Sequence, residues 1–139
     1  MNFKRPLILA SNSPRRQYLM RELGYHFAIQ KPFGDESFPT DIPAEDVPEY
    51  LAKKKANSIN QVSDEIVMTS DTVVILNGEI LNKPADRNEA IEMLTRLAGN
   101  THTVVTGVCL KDQSKIECFH DRTEVTFKSL ERYEIENYV

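Results

Sequence analysis

The 139 residues are 40% hydrophobic and 27% charged, an ordinary globular composition that bounds the chain to one domain with a real core. A net charge of −4 argues against a binder of nucleic acid or membrane surfaces through bulk charge, so affinity for phosphate must come from a local basic cluster. No apolar run reaches transmembrane length and no signal-peptide pattern opens the chain. Cys109 and Cys118 match no metal spacing; they read as buried thiols of a cytosolic protein ahead of a cross-hairpin disulfide.

Leu7-Ile8-Leu9-Ala10 is a short apolar run that reads as a buried strand. Ser13-Pro14 then starts a helix over 14–23, with Ser13 as N-cap, Pro14 at the first helical position, Leu19 and Leu23 on one face and Gly24 as the stop. Arg15-Arg16 occupies the first turn, where the positive end of the helix dipole makes cations unfavourable. Two readings stand: a solvated Arg pair, or an anion held at the helix start by free N–H groups, the Ser11 and Ser13 hydroxyls and the guanidinium forks. No Walker-type glycine loop occurs in the chain.

A short strand is expected over 26–30. The segment 31–46, punctuated by Pro32, Gly34, Pro39 and Pro43, is a loop whose Asp35-Glu36 pair is either solvated charge or a pair of hard oxygen ligands. The helix expected over 46–59 carries Val47, Leu51 and Ile59 on one stripe. Lys55 is the odd member of that stripe: it must snorkel to the surface or meet an anion in a cleft. On that reading Lys55→Met leaves stability equal or better.

The stretch 66–76 is apolar at both parities, as a central strand covered on both faces should be. Asp71 interrupts it, and a carboxylate there is costly unless it is paired, binds metal or lies where the strand enters a pocket. Asn77-Gly78 is a type I′ hairpin signal that returns Lys83-Pro84 towards the same end of the sheet. Asp86-x-x-Glu89 reads as a capping box for a helix running to Ala98, with Ala90, Leu94, Leu97 and Ala98 as its buried stripe and Gly99 as its end. Strands over 101–110 and 116–127 follow, joined by the turn 111–115. His102, in phase with Val104, Thr106 and Val108, reads as a hydrogen-bonded structural residue. The stretch 130–139 looks like the start of another helix.

Taken together, Leu9-Ala10-Ser11-x-Ser13-Pro14-Arg15-Arg16, Asp35-Glu36, Leu51-Ala52-x-x-Lys55-Ala56, Ser70-Asp71-Thr72-Val73-Val74, Lys83-Pro84, Glu89-Ala90-x-x-Met93-Leu94 and Gly99-x-x-His102-x-Val104-x-Thr106 follow one another in an order that resembles the Maf family of nucleotide pyrophosphatases. The resemblance implies an α/β fold like that of Maf and inosine triphosphatase proteins: a mixed twisted sheet with flanking helices and two lobes around a nucleotide cleft. It implies hydrolysis of a nucleoside triphosphate at the α–β anhydride, with a divalent metal, Mg²⁺ or Mn²⁺. By the same resemblance Asp71 corresponds to the general base, Glu36 to an acidic residue near the metal, and Ser11, Arg15, Arg16, Lys55 and Lys83 to phosphate-facing residues. Asp71 and Glu36 also offer oxygens suited to the metal, so Asp71 is base, metal ligand or both. Arg15 and Thr72 match positions linked to substrate choice and point to the branch acting on dTTP and UTP.

Asn82 departs from the glycine usual before the Lys-Pro pair. Family members also continue past Val139 into a glycine-rich segment and a substrate-contacting glutamine. The 139 residues are therefore expected to form a single Maf-like domain lacking that segment, with poor nucleotide binding and little or no turnover. A cytoplasmic enzyme without nucleic-acid or membrane partners is the leading expectation. Homodimerisation is compatible with the resemblance. The alternative is a non-catalytic nucleotide-binding regulator linked to septum formation.

Overall fold

The structure is a computed structural model and describes residues 5–34, 36–59 and 64–139. Its elements, in chain order, are β1 (Leu7–Ala10), α1 (Pro14–Glu22), β2 (Ala28–Gln30), a 3-10 turn (Ala44–Asp46) leading into α2 (Val47–Asn57), β3 (Ile66–Leu76), β4 (Glu79–Leu81), α3 (Arg87–Leu97), β5 (Thr101–Lys111), β6 (Ile116–Thr126) and α4 (Arg132–Tyr138). One mixed sheet of order β2-β1-β3-β5-β6 carries the fold, with β4 paired to β3. β1 is parallel to β2 and β3, while β4 and β5 run antiparallel to β3 and β6 runs antiparallel to β5.

β3 organises the molecule. One of its edges is paired with β5 from Val67 to Ile75. The other edge is shared: Ile66–Met68 pair with β1 and Val74–Leu76 pair with β4. Between those two short partners the edge of β3 over residues 69–73 pairs with no strand among the described residues. β1 has already turned away into α1 there, because Ser13 caps the helix and Pro14 suits its first position. The result is a notch in the sheet at Asp71.

Helices cover the sheet from both faces. In β1, Leu7 and Leu9 pack with Met20 of α1, whereas Ile8 and Ala10 pack with Ile59 just beyond α2. The alternation of the strand thus separates the two helices. On the α2 face, Val47 and Leu51 meet Val73, Ile75 and Val105, and Phe38, Ile42 and Ala44 of the long loop close over them. The loop 31–46 is therefore partly core. Gly107 permits this packing: a Cβ there would come within 2.8 Å of Glu49 Cα and closer still to Pro48 C and Glu49 N. α3 packs on α4, burying Ile91, Leu97 and Ile135.

Several expectations are corrected. Leu19 and Leu23 of the first helix are exposed, and Met20 is its buried residue, because it is Met20 that packs with Leu7 and Leu9 of β1. The stripe of α3 is centred on Ile91 and Leu97, with Ala90, Leu94 and Ala98 only half-buried. The hairpin turn has the expected left-handed residues, Asn77 at φ 52° and Gly78 at φ 80°. Cys109 and Cys118 are not separate thiols. The β5–β6 register sets them directly opposite, and they are joined as a disulfide beneath α2. His102 is 5% exposed and its Nδ1 has no hydrogen-bond partner among the described residues; its ring packs edge-on against Phe127 at 5.1 Å. Packing holds it, not the expected hydrogen bond.

Candidate active site

The site is built on the unpaired stretch of β3. Strand alternation sends Asp71 to the α2 face, alongside Thr69, whose hydroxyl donates to Ala52 O at 2.6 Å. Thr72 points to the opposite face. Ser70 lies between them, and its carbonyl, lacking a neighbouring strand on the open edge, accepts from two cations. Arg16 Nη1 of α1 donates to it at 3.1 Å and Lys55 Nζ of α2 at 3.3 Å. The two helices thus reach the same carbonyl from opposite faces of the sheet.

Each cation is also held by a side chain. Lys55 Nζ pairs with Asp71 Oδ1 at 2.9 Å, the two side chains being 19% and 13% exposed. Arg16 Nη2 donates to Thr72 Oγ1 at 3.3 Å, and Thr72 Oγ1 lies 3.0 Å from Thr106 Oγ1 of β5. Lys55 is therefore the inward-facing member of its stripe, and the anion it meets is Asp71. Removing Lys55 would leave a mostly buried carboxylate unpaired, which overturns the expectation that Lys55→Met costs no stability.

Anchoring leaves donors to spare. An ammonium has three N–H groups and a guanidinium five, so Lys55 keeps one and Arg16 three beyond the bonds described. The helix start itself is more fully satisfied than the sequence reading expects. Ser13 N donates to Ser11 Oγ at 3.0 Å, Arg16 N donates to Ser13 Oγ at 3.3 Å, and Pro14 has no N–H. Arg15 N–H is the first-turn donor left open. Ser11, 5% exposed, shapes this turn from within.

The remaining residues predicted for the site lie at its rim or away from it. Arg15 is exposed beside Arg16. Lys83 is exposed two residues beyond Leu81, the last paired residue of β4, at the far side of the notch. Glu36 is exposed on the long loop, and no described contact joins it to Asp71. Asp35 lies outside the described residues. Among the described residues no group of three or more His, Cys, Asp or Glu side chains could hold a metal ion. Asp71 supplies one carboxylate, a donor set that suits a cation carried in by phosphate oxygens and not a cage made by protein alone.

Residue-type reasoning missed the Ser70 carbonyl, the Thr72–Thr106 pair and Gly107, which stands opposite Asp71 in the β3–β5 register. Thr106 and Gly107 carried a readable signal. A glycine inside a strand marks a close backbone approach.

A mixed sheet with helices on both faces and two anchored cations beside a strand carboxylate defines an α/β protein with a cation-flanked notch. Its fold is shared with the Staphylococcus aureus Ham1 protein, at a TM-score of 0.59 and 16% identity, over 86% of this chain and 70% of that one. The chain belongs to the Maf family: the model for Maf-like protein matches residues 6–139. It is 44% identical over 136 residues to the dTTP/UTP pyrophosphatase of Pelotomaculum thermopropionicum, covering 96% of this chain and 71% of the relative. It is 41% identical over 139 residues to the dTTP/UTP pyrophosphatase of Bacteroides thetaiotaomicron, covering 98% and 72%. No described helix is long and apolar enough to cross a membrane.

Proposed function

We propose that this chain hydrolyses dTTP and UTP at the α–β anhydride, releasing a nucleoside monophosphate and pyrophosphate. The observation that carries the reading is the Lys55–Asp71–Ser70–Arg16 cluster, a carboxylate flanked by two anchored cations with unused donors, in a chain 44% identical to a dTTP/UTP pyrophosphatase.

The triphosphate enters the notch and its oxygens take the spare hydrogens of Arg16 and Lys55, with Arg15 N–H and the exposed Arg15 and Lys83 side chains around the rim. A water oxygen bonds to the α-phosphorus, the α–β bridging P–O bond breaks, and pyrophosphate leaves with the bond's electron pair. Asp71 accepts the water's proton as general base. Lys55 orients the Asp71 carboxylate before substrate arrives and shares its charge with phosphate afterwards. Asp71 would hold a divalent cation, Mg²⁺ or Mn²⁺, together with the phosphate oxygens, and the cation would supply neutralisation of charge on the phosphates. A cytoplasmic location belongs to this proposal, since that is where nucleoside triphosphates are available.

The test is a turnover screen of all common nucleoside triphosphates with Mg²⁺ and with Mn²⁺, scoring pyrophosphate and orthophosphate separately. Pyrophosphate from dTTP and UTP is expected. Orthophosphate release would place cleavage at another anhydride, and binding without release of either would make the protein a non-catalytic regulator.

A further inference from the structure

We infer that Thr106 is a positioning residue for phosphate binding: through the Thr72 hydroxyl it holds the Arg16 guanidinium in the notch. The inference rests on the reading of Arg16 as a phosphate-binding group.

Thr72 and Thr106 are register partners on β3 and β5, on the sheet face away from α2. Their hydroxyl oxygens lie 3.0 Å apart, and Thr72 Oγ1 also accepts from Arg16 Nη2 at 3.3 Å. Arginine only donates, so Thr72 spends a lone pair on it and must make its other bond with its own proton or a second lone pair. Accepting from a cation polarises a hydroxyl and makes it the better donor, which orients the chain as Arg16 to Thr72 to Thr106. Thr106 thereby decides a choice of rotamer. A threonine side chain can present either its oxygen or its methyl in a given direction, and its χ1 settles into few wells. The bond to Thr106 selects the rotamer that shows oxygen to Arg16.

Folding has little need of this pair. Thr72 is exposed and Thr106 half-buried, so water could satisfy both hydroxyls if they were apart. What the pair supplies is a fixed second anchor for a long, rotamer-rich side chain whose first anchor is Ser70 O. Freezing Arg16 before the anion arrives lowers the ordering cost of binding.

The experiment compares wild type with Thr106→Val, Thr106→Ser, Thr72→Val and the Thr72→Val/Thr106→Val double variant. Affinity for a non-hydrolysable α,β-imido analogue of dTTP is measured by calorimetry, pyrophosphate release from dTTP by steady-state kinetics, and stability by thermal melting. Thr106→Val should weaken analogue binding and raise KM by roughly two- to tenfold, the size of one hydrogen bond, with kcat and melting temperature nearly unchanged. Thr106→Ser, which keeps the hydroxyl, should restore binding, and the double variant should bind no worse than Thr72→Val alone.

Wild-type affinity and KM in Thr106→Val would overturn the inference. So would additive losses in the double variant, or a lowered melting temperature that Thr106→Ser shares. A wild-type protein that binds the analogue but releases no pyrophosphate would remove the proposed reaction and leave the affinity comparison to decide the role of Thr106. One that does not bind the analogue would overturn both.

Discussion

Asp71 and Lys55 meet at 2.9 Å in a site where each is largely shielded from water, so neither can be changed without consequence for the other. Asp71→Asn keeps the shape and removes the proposed base; turnover of dTTP is expected to fall by roughly 10² or more with nucleotide binding retained. Near-normal turnover would take Asp71 out of the chemistry. Lys55→Met should weaken nucleotide binding and also lower stability by about 1–3 kcal/mol, between the values for exposed and buried pairs. Adding Asp71→Asn to Lys55→Met should recover most of that stability, since no unpaired charge remains. Denaturant unfolding of the two single variants and the double variant measures this, and a double variant as unstable as Lys55→Met would mean that packing, not charge, holds the helix there.

At the scale of elements, α2 delivers Lys55 to Asp71 only because its first turn lies against the sheet at Gly107. The backbone of Pro48 and Glu49 fills the space a side chain would need. A helix cannot yield there as the end of a flexible side chain could. Gly107→Ala is therefore expected to push α2 outward, costing roughly 1–3 kcal/mol as overpacking does, and to lower turnover more than binding as Lys55 shifts from Asp71. Circular dichroism melts and kcat measurements on the same preparation check both. A variant of wild-type stability would show that α2 accommodates the methyl without cost.

Across the whole molecule, Asp112 joins the turn between β5 and β6 to the beginning of the chain. Its carboxylate accepts from Ser114 N and Lys115 N at 2.8 and 2.9 Å and pairs with Arg5 Nη1 at 3.1 Å. The backbone N–H groups of Ser114 and Lys115, and after them Arg5 and the Ser114 hydroxyl, hold it well below the usual carboxylate range. A depressed folded-state value means that the unfolded chain binds the proton more readily. The stabilisation is therefore complete above the ordinary aspartate value near 3.9 and is lost as pH falls below it. Melting temperatures followed from pH 6 towards pH 2 should fall more steeply in wild type than in Asp112→Asn. Parallel curves would show that this carboxylate carries no pH-dependent stability.

The sequence by itself determined most of the elements and which charged residues stood in apolar surroundings. A β-branched apolar run at both parities reads as a covered strand, so Asp71 inside 66–76 and Lys55 on the stripe of α2 stood out as charges that needed a reason. The N-cap at Ser13 and the turn at Asn77-Gly78 were equally legible, because each depends on a few adjacent residues. Only the tertiary structure decided how those groups are joined. It paired Lys55 with Asp71, brought Arg16 from the other face to the same Ser70 carbonyl, set Thr106 behind Thr72, and joined Cys109 to Cys118. It also buried Met20 where Leu19 and Leu23 were expected. The physical reason is that periodicity assigns a residue to a face of its own element, whereas strand order, register and the gap between β1 and β4 bring distant faces together. Those are properties of the assembled sheet, set by which apolar surfaces find one another, and no local stretch of the chain contains them.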